Sequence, residues 1–485
     1  MDLNLLLLFV SLYFLRPQDW IPQLSGAPLV SLVMLAAILA TATRAGGFSL
    51  RQVLRTPHDW LMGLYFGWVI YTADAPFGMF KKLLPFMVFY VVTVLALTSI
   101  PNLGRFLRWW CGLLVVLAAA GVMTAFGIDF TGASEKILIN QGRLVLNTYM
   151  HNNPNALGHS VVVALPMAWF LYFWRTGAIL KGALFSSAVF LCVLYTQSKG
   201  AFLVGFVVLV LALMFGQPRV FQIIIGSLAA LGGGAILSML PRMAELSKSE
   251  QGIQGRVLAW NSAWESLQQF PRGVGWNNFF ASFMWEGELV VKATHSSYVQ
   301  IGAALGYVGL FLYVGVIYSW FRTLLLVRPA TIEQDRLRRV LFVLASASAL
   351  SNWMIDRAYH TEFFLLTAAV GAYHRLVAGA RRSEPMAESA ETEQVPHQLP
   401  APAYAGPGLT PQPAFSIAAG IVAAGTARSV FLQPGTDSRP NAEDAPETLI
   451  SRFVRWPRLM LIDLPLIYLG YRLVLETWEY VIRHF

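Results

Sequence analysis

The stretch from Val299 to Phe321, VQIGAALGYVGLFLYVGVIYSWF, carries no charged side chain. A helix needs roughly 20 consecutive apolar residues to cross the ~30 Å hydrocarbon core of a bilayer. The rest of the chain has the same character, since 56% of its 485 residues are hydrophobic, 13% are charged and the mean hydropathy is +0.56. Soluble domains carry about 25% charged residues. The sequence therefore predicts an all-α, polytopic membrane protein.

Twelve apolar segments are candidate membrane spans, although several are shorter than the usual length. They are 3–15, 28–43, 60–73, 83–100, 109–127, 156–174, 182–197, 200–216, 220–240, 299–321, 340–355 and 361–378. The first segment is followed by LRPQDWIP, which contains no small-residue cleavage site, and we interpret it as a retained signal anchor.

Basic residues indicate the orientation, because short cytoplasmic loops collect Lys and Arg. Such residues accompany alternate spans, as Arg105 and Arg108 do. The pattern predicts cytoplasmic termini, with segment 128–155 and the large loop 241–298 on the outer side. The Lys and Arg residues in these short loops account for most of the net charge of +9, so this charge does not indicate binding to nucleic acid.

Three regions follow from the composition. Residues 1–380 form the predicted transmembrane domain. Residues 381–450 are rich in Pro, Ala, Glu and Gln and predict a disordered cytoplasmic linker, because they offer too little apolar area to offset chain entropy. Residues 451–485 predict an amphipathic helix in the membrane interface, since Asp463 and Arg472 interrupt the apolar pattern; a thirteenth span is the alternative.

The outer loop carries the most informative polar residues. It contains GRVLAWNSAW from Gly255, then PRGVGWNNFF, then THSSYVQ around His295. The guanidinium fork of Arg256 matches phosphate oxygens, and His295 can exchange a proton near neutral pH. A residue that binds phosphate, next to a residue that acts as a base, is typical of a transferase. The alternatives are an ordinary interfacial helix for Arg256 and a hydrogen-bonding role at a helix end for His295.

Other outer positions are weaker candidates for substrate contacts. Lys199 lies on the outward side, where the charge rule disfavours cations, and is either functional or a membrane anchor. Arg143 is a candidate glycan or phosphate contact. Asn155 lies in NNPNALG, whose Asn residues also suit capping and turns. Arg357 follows Asp356 in an outward turn, where an ion pair between the two is the simplest prediction.

The ordered set of motifs resembles the bacterial O-antigen ligase and O-antigen polymerase superfamily. It comprises NNPNALG, QSKGAF, GR..W, P.GVGW.NF and HSSYVQ...ALGYVGL, and spans roughly residues 140–320. The N-terminal FLRPQDWIP further resembles the O-glycosylation ligases associated with exosortase systems. The resemblance implies an inverting glycosyltransferase of the bacterial inner membrane that needs no metal or other cofactor, with its active site facing the periplasm.

The resemblance also implies roles for individual residues and partners. The donor is an undecaprenyl-diphosphate-linked glycan, and the acceptor is a glycan, a lipid or a protein. His295 matches the proposed base of the family, while Arg256 and Lys199 match the residues that hold the diphosphate. The chain departs from the family pattern at Lys199, where Arg is usual, and at Ala304, where Glu is frequent. A cation remains at the first position, whereas the second changes the surroundings of His295.

Two alternatives remain open at this point. A polymerase of the same superfamily transfers the glycan to another repeat unit, whereas a ligase transfers it to lipid A core or to protein. A polytopic transporter or lipid-linked glycan flippase is the alternative of a different class. Transporters usually show internal repeats and charged residues near the bilayer midplane, whereas the polar residues here gather in an outer loop. The sequence favours the glycosyltransferase.

Overall fold

The computed structural model describes residues 3–43, 53–239, 251–276, 278–285, 287–391 and 461–485. The described helices are α1 (Leu3–Leu15), α2 (Pro17–Trp20), α3 (Leu29–Ala42), α4 (Pro57–Tyr71), α5 (Pro76–Ala96), α6 (Ile100–Ala125), α7 (Ser134–Ile139), α8 (Pro154–Val162), α9 (Ala164–Ala168), α10 (Ile179–Thr196), α11 (Lys199–Met214), α12 (Arg219–Met239), α13 (Gln251–Gln269), α14 (Ser297–Leu326), α15 (Ile332–Ser351), α16 (Thr361–Glu391) and α17 (Asp463–His484).

Outside the α-helices, the described residues include a 3-10 turn at Pro22–Leu24 and a π-helical turn at Trp169–Phe173. A hairpin of β1 (Ala281–Trp285) and β2 (Glu288–Lys292) is antiparallel, with Ser282 opposite Val291. The predicted all-α class is thus confirmed for the described residues, apart from this hairpin between α13 and α14.

Each of the twelve predicted segments overlaps helix in the described residues. Among these residues, five helical stretches are long and apolar enough to cross a membrane: α5, α6, Pro154–Phe173, α10 and α14. Shorter apolar stretches are Leu29–Ala40, Lys199–Met214 and Arg219–Gly233. The protein is therefore a membrane protein by these spans, whereas the number of twelve and its orientation stay predictions.

The chain divides into two compact units, Met1–Ala380 with Phe453–Phe485, and Arg381–Arg452. In the second unit, helix α16 continues to Glu391 and so includes the first eleven residues of the region predicted to be disordered from residue 381. Ala, Glu and Met are good helix formers, which explains this continuation. The remainder of the predicted linker, 392–450, lies outside the described residues.

Helix α14 lies at the centre of the first unit and packs against α4, α13, α15 and α17. Its helical geometry is broken at Gly306, which has a φ of 69°. The loop that follows α13 enters this break: Tyr307 N donates to Pro271 O at 3.0 Å, and Gly275 N donates to Ala304 O at 2.8 Å. A Cβ on Gly306 would lie 2.2 Å from Pro271 O. The glycine in ALGYVGL thus admits the PRGVGW loop, which pairs backbone groups that the break leaves exposed.

Helix α17 packs lengthwise along α14. Near its start, the Asp463 carboxylate accepts a bond from Arg322 Nε at 2.9 Å. Near the end of α17, the Trp478 ring faces Gly302, which lies twenty residues before Arg322 on α14. At 1.5 Å per residue these two contacts are roughly 30 Å apart, about the thickness of a hydrocarbon core.

This packing gives partners to the two charges that interrupt the apolar pattern of the C-terminal segment. Asp463, which argued against a span, is completely buried because it pairs with Arg322. The other interrupting charge, Arg472, is half-exposed and pairs with Glu476 at 3.0 Å. The helix therefore packs along α14, and its placement in the membrane interface stays a prediction. Its two ends lie at opposite ends of α14, and the cytoplasmic placement of both termini also stays a prediction.

Candidate functional site

A cavity of about 550 Å³ lies among α11, α13, α17 and the turn after α15. Three basic side chains line it: Arg143, Lys199 and Arg256. The described residues around it include no Asp or Glu side chain, and Asn155 and Gln197 add polar groups. Apolar side chains, among them those of Leu203 and Val257, form most of the wall. The cavity suits an anionic group attached to an apolar one.

Arg143 is held at the cavity by two hydrogen bonds. Its Nε donates to Thr196 O, the last carbonyl of α10, at 3.1 Å, and its Nη2 donates to Asn155 Oδ1 at 2.9 Å. Asn155 lies in the first turn of α8, where its backbone N–H donates to Asn153 Oδ1 at 2.9 Å. The capping role predicted for the NNPNALG segment is confirmed at Asn153, and Asn155 orients Arg143.

Lys199 is the first residue of α11, and Ser198 caps that helix by accepting a bond from Ala201 N. The start of a helix carries partial positive charge, which adds to the ammonium in favouring an anion. Close approach to α8 fixes this turn, because a Cβ on Gly158 would lie 2.9 Å from Ala201 Cβ. The NNPNALG and QSKGAF motifs thus meet through small residues.

Arg256 and Trp260 lie one turn apart on α13, and both line the cavity. The Trp260 indole nitrogen donates to Thr294 O at 2.7 Å. On the other side of His295, Ser296 caps α14 and its hydroxyl donates to Asn352 O at 3.1 Å. Both neighbours of His295 are buried and bonded, so the loop is fixed beside α13.

His295 is partly exposed and adopts a left-handed backbone with a φ of 52°. Such a backbone costs free energy in a non-glycine residue and is held here by the bonded neighbours. Burial, and then the charges of Arg256 and Lys292, lower the pKa of His295 to about 4. The imidazole is therefore neutral near pH 7, which is the form that accepts a proton.

The structure does not place His295 among the residues that line the 550 Å³ cavity. It lies beside that cavity, near enough to Arg256 and Lys292 for their charges to act on its pKa. Lys292 approaches α13 closely, since a Cβ on Gly255 would lie 2.2 Å from its Nζ. His295 and Arg256, two of the candidates from the sequence, are therefore neighbours at the junction of α13 and the loop before α14.

Arg357 lies elsewhere, in a separate cavity of about 40 Å³. It forms an ion pair with Glu362, and its Nη2 donates to Ala156 O and to Ser160 Oγ at 2.6 Å each. The predicted pair with Asp356 is wrong, because that carboxylate instead accepts a bond from the backbone of Ala358. An acid five residues later in the chain reaches the guanidinium better than the adjacent one. These contacts give Arg357 a structural role that ties α8 to the turn before α16.

Several cavity residues were not found by sequence reasoning. Trp353 and Met354 follow α15, and Thr477, Val481 and Phe485 belong to the C-terminal segment. The last three are spaced four residues apart, which places them on one face of a helix. That signal was available in the sequence, but it does not reveal that this face meets the cavity.

Across the described ranges, no three His, Cys, Asp or Glu side chains are grouped as metal ligands would be. Independence from metals stays a prediction that needs a direct test.

The cavity has three basic side chains and mostly apolar walls, and a neutral histidine lies beside it. Such a cavity in a helical membrane protein suits a lipid-linked anion as its ligand. Residues 182–314, from α10 into α14, match the family model described as O-antigen ligase. This match supports membership of the chain in the O-antigen ligase superfamily and confirms the resemblance seen in the motifs. No curated protein matches the chain.

Proposed function

We propose that this protein transfers a glycan from an undecaprenyl-diphosphate carrier to an acceptor hydroxyl at the periplasmic face of the bacterial inner membrane. One observation carries the proposal. Arg143, Lys199 and Arg256 converge on one cavity, in a chain whose residues 182–314 match the O-antigen ligase family. Such a family acts in general on a lipid-linked glycan and an acceptor.

The proposed reaction is an inverting displacement. The acceptor oxygen attacks the anomeric carbon while the bond from that carbon to the diphosphate oxygen breaks. Arg256 and Lys199 stabilise the negative charge that develops on the leaving diphosphate, and Arg143 adds a third positive charge. His295 accepts the hydroxyl proton as the new bond forms, and such a base contributes typically 10²–10⁴-fold in rate.

Bound substrate also acts on the base. In the free protein, burial and, to a smaller extent, the charges of Arg256 and Lys292 lower the pKa of His295 to about 4. A bound diphosphate places negative charge beside these cations and offsets their effect. The pKa of His295 then rises toward the working pH when the donor is present, so the base becomes stronger in the complex than in the free protein.

Within the family, we propose a ligase rather than a polymerase. The glycan profile of a strain that lacks the protein separates the two. Long chains that accumulate on the lipid carrier support a ligase, whereas single repeat units on the carrier indicate a polymerase. Loss of the transferred glycan, together with lipid-linked donor retained on the cytoplasmic face, would instead indicate a flippase.

Metal independence needs its own test. We expect transfer from a purified lipid-linked donor to persist in excess EDTA, because fixed cations take the place of a metal at the diphosphate. The His295→Ala protein serves as the inactive control. Activity that EDTA removes and Mg²⁺ or Mn²⁺ restores would overturn this part of the proposal.

A further inference from the structure

The C-terminal helix α17 reaches the cavity although residues 392–460 separate it from α16 in the sequence. Its first residue, Asp463, is completely buried and accepts bonds from Arg322 Nε at 2.9 Å and from the Tyr318 hydroxyl at 2.8 Å. A buried carboxylate is strongly unfavourable without such partners. The ion pair therefore fixes the start of α17 on α14, at the end remote from the cavity.

The last turns of α17 are fixed by Trp478, which is also completely buried. Its indole nitrogen donates to Trp260 O at 3.1 Å, and its ring packs edge-on against Trp264. A Cβ on Gly302 would lie 2.7 Å from the Trp478 ring, so only glycine leaves room for it. Because Trp260 itself lines the cavity, α17 is positioned relative to the same helix that presents Arg256.

One face of α17 then forms part of the cavity wall. Thr477, Val481 and Phe485 lie on this face, and Leu203 and Ile253 continue the apolar surface on α11 and α13. An apolar wall does not satisfy the hydroxyl groups of a glycan, whereas it gains free energy when it covers hydrocarbon. The cations and this wall together fit an amphiphile with an anionic head and a branched hydrocarbon chain.

We propose that α17 determines specificity for the hydrocarbon part of the donor: the Thr477, Val481 and Phe485 face contacts the isoprene units next to the diphosphate. This inference rests on the proposed function, because it takes the anionic head to be the diphosphate held by Arg256 and its neighbours. It adds that the helix recognises the lipid rather than the glycan. Val481, at the centre of this face, is the position where polarity matters most.

The test compares two probes on the full chain in phosphatidylcholine nanodiscs. Farnesyl diphosphate carries three isoprene units, whereas inorganic diphosphate carries none, so their affinity ratio measures recognition of the chain. We expect Val481→Asn to weaken farnesyl diphosphate binding about tenfold and to leave inorganic diphosphate binding unchanged, because one apolar contact is lost. Leu473→Asn is the matched control on an exposed position of the same helix.

Each outcome decides between possibilities. Equal weakening of both probes by Val481→Asn, or an unchanged ratio, would overturn the inference. Should Val481→Asn lower the protein's melting temperature, Val481→Ala provides a milder version in which the ratio still falls. A variant series that shows chain preference while glycan transfer is absent would leave the inference standing and overturn the proposed function instead.

Discussion

The two ends of α14 differ in the pairing of their charged neighbours and in the regularity of their backbone. Near Arg322 the helix is regular, and the buried guanidinium is paired with Asp463 at 2.9 Å. Near Gly306 the helix is broken, a loop fills the gap, and the adjoining cavity carries basic side chains without an acidic one among its described lining residues. Departures from regular geometry and charge balance are expected at functional sites. The paired end of α14 stabilises the fold, whereas the broken end holds the loop that follows α13, the helix that carries Arg256 of the proposed binding site.

The largest expected effect is at His295. We expect His295→Ala to lower the rate of glycan transfer about 10²–10⁴-fold, because the proton acceptor is lost while the cations stay. The measurement is transfer from purified donor at equal membrane abundance. Binding of inorganic diphosphate should remain within about threefold of wild type, because the substitution leaves Arg256 in place. Transfer that persists near the wild-type rate would remove His295 from the mechanism.

The broken end of α14 is tested through its backbone. Gly306→Ala should destabilise the protein by at least ~2 kcal/mol, because the added Cβ meets Pro271 O and a φ of 69° disfavours alanine. Thermal unfolding in nanodiscs provides the measurement. Gly63→Ala is the matched control, since a Cβ there has no neighbour within 4 Å in a regular helix. Equal melting temperatures for the two variants would contradict the account of the docked loop.

The cations at the cavity should be unequal. Arg256→Ala should lower transfer about 10- to 100-fold, and Lys199→Ala less, because a guanidinium forms two charge-assisted bonds to phosphate where an ammonium acts as a point charge. Lys199→Arg should keep or raise activity. A silent Lys199→Ala beside an inactive Arg256→Ala would reduce Lys199 to a membrane anchor.

At the end of α14 remote from the cavity, Arg322→Ala should lower the abundance of the protein rather than its affinity for diphosphate, since it leaves Asp463 buried without this cation.

The smallest effect concerns pH. A pKa of about 4 keeps His295 neutral, so kcat/KM should be flat from about pH 6 to pH 8 and fall only at lower pH, as the imidazole becomes protonated. The charge of Lys292 contributes to this lowered pKa, so Lys292→Ala should raise it and move the acid limb toward neutral pH. The exposed Lys82→Ala provides the control. An acid limb that does not move would show that Lys292 is too distant to matter.

Much of the fold could be predicted from the sequence because apolar periodicity and helix length are local properties. The segment 299–321 falls inside α14, and the capping role of the NNPNALG segment appears at Asn153. The break at Gly306 was not predicted, since it depends on a loop that docks from outside the helix. Glycine alone does not distinguish a close helix contact from a broken helix.

The contacts that the sequence does not reveal involve partners that are distant in sequence or differ from the nearest choice. Asp463 accepts a bond from Arg322, which lies 141 residues away in the chain. The adjacent Asp356 was chosen as the partner of Arg357, whereas Glu362 has the better reach. The sequence pairs Arg256 with Lys199 as diphosphate ligands and leaves Arg143 without a defined position, whereas the fold places all three at one cavity.

The most direct test of the central claim is calorimetric binding of inorganic diphosphate to the full chain in nanodiscs. The wild-type protein is compared with Arg256→Ala and with Arg472→Ala, which removes a half-exposed arginine of α17 outside the cavity. We predict that Arg256→Ala weakens binding about 10- to 100-fold, because charge-assisted bonds to the anion are lost, and that Arg472→Ala leaves it unchanged. The same affinity for all three proteins would contradict the claim that the basic cavity holds a diphosphate.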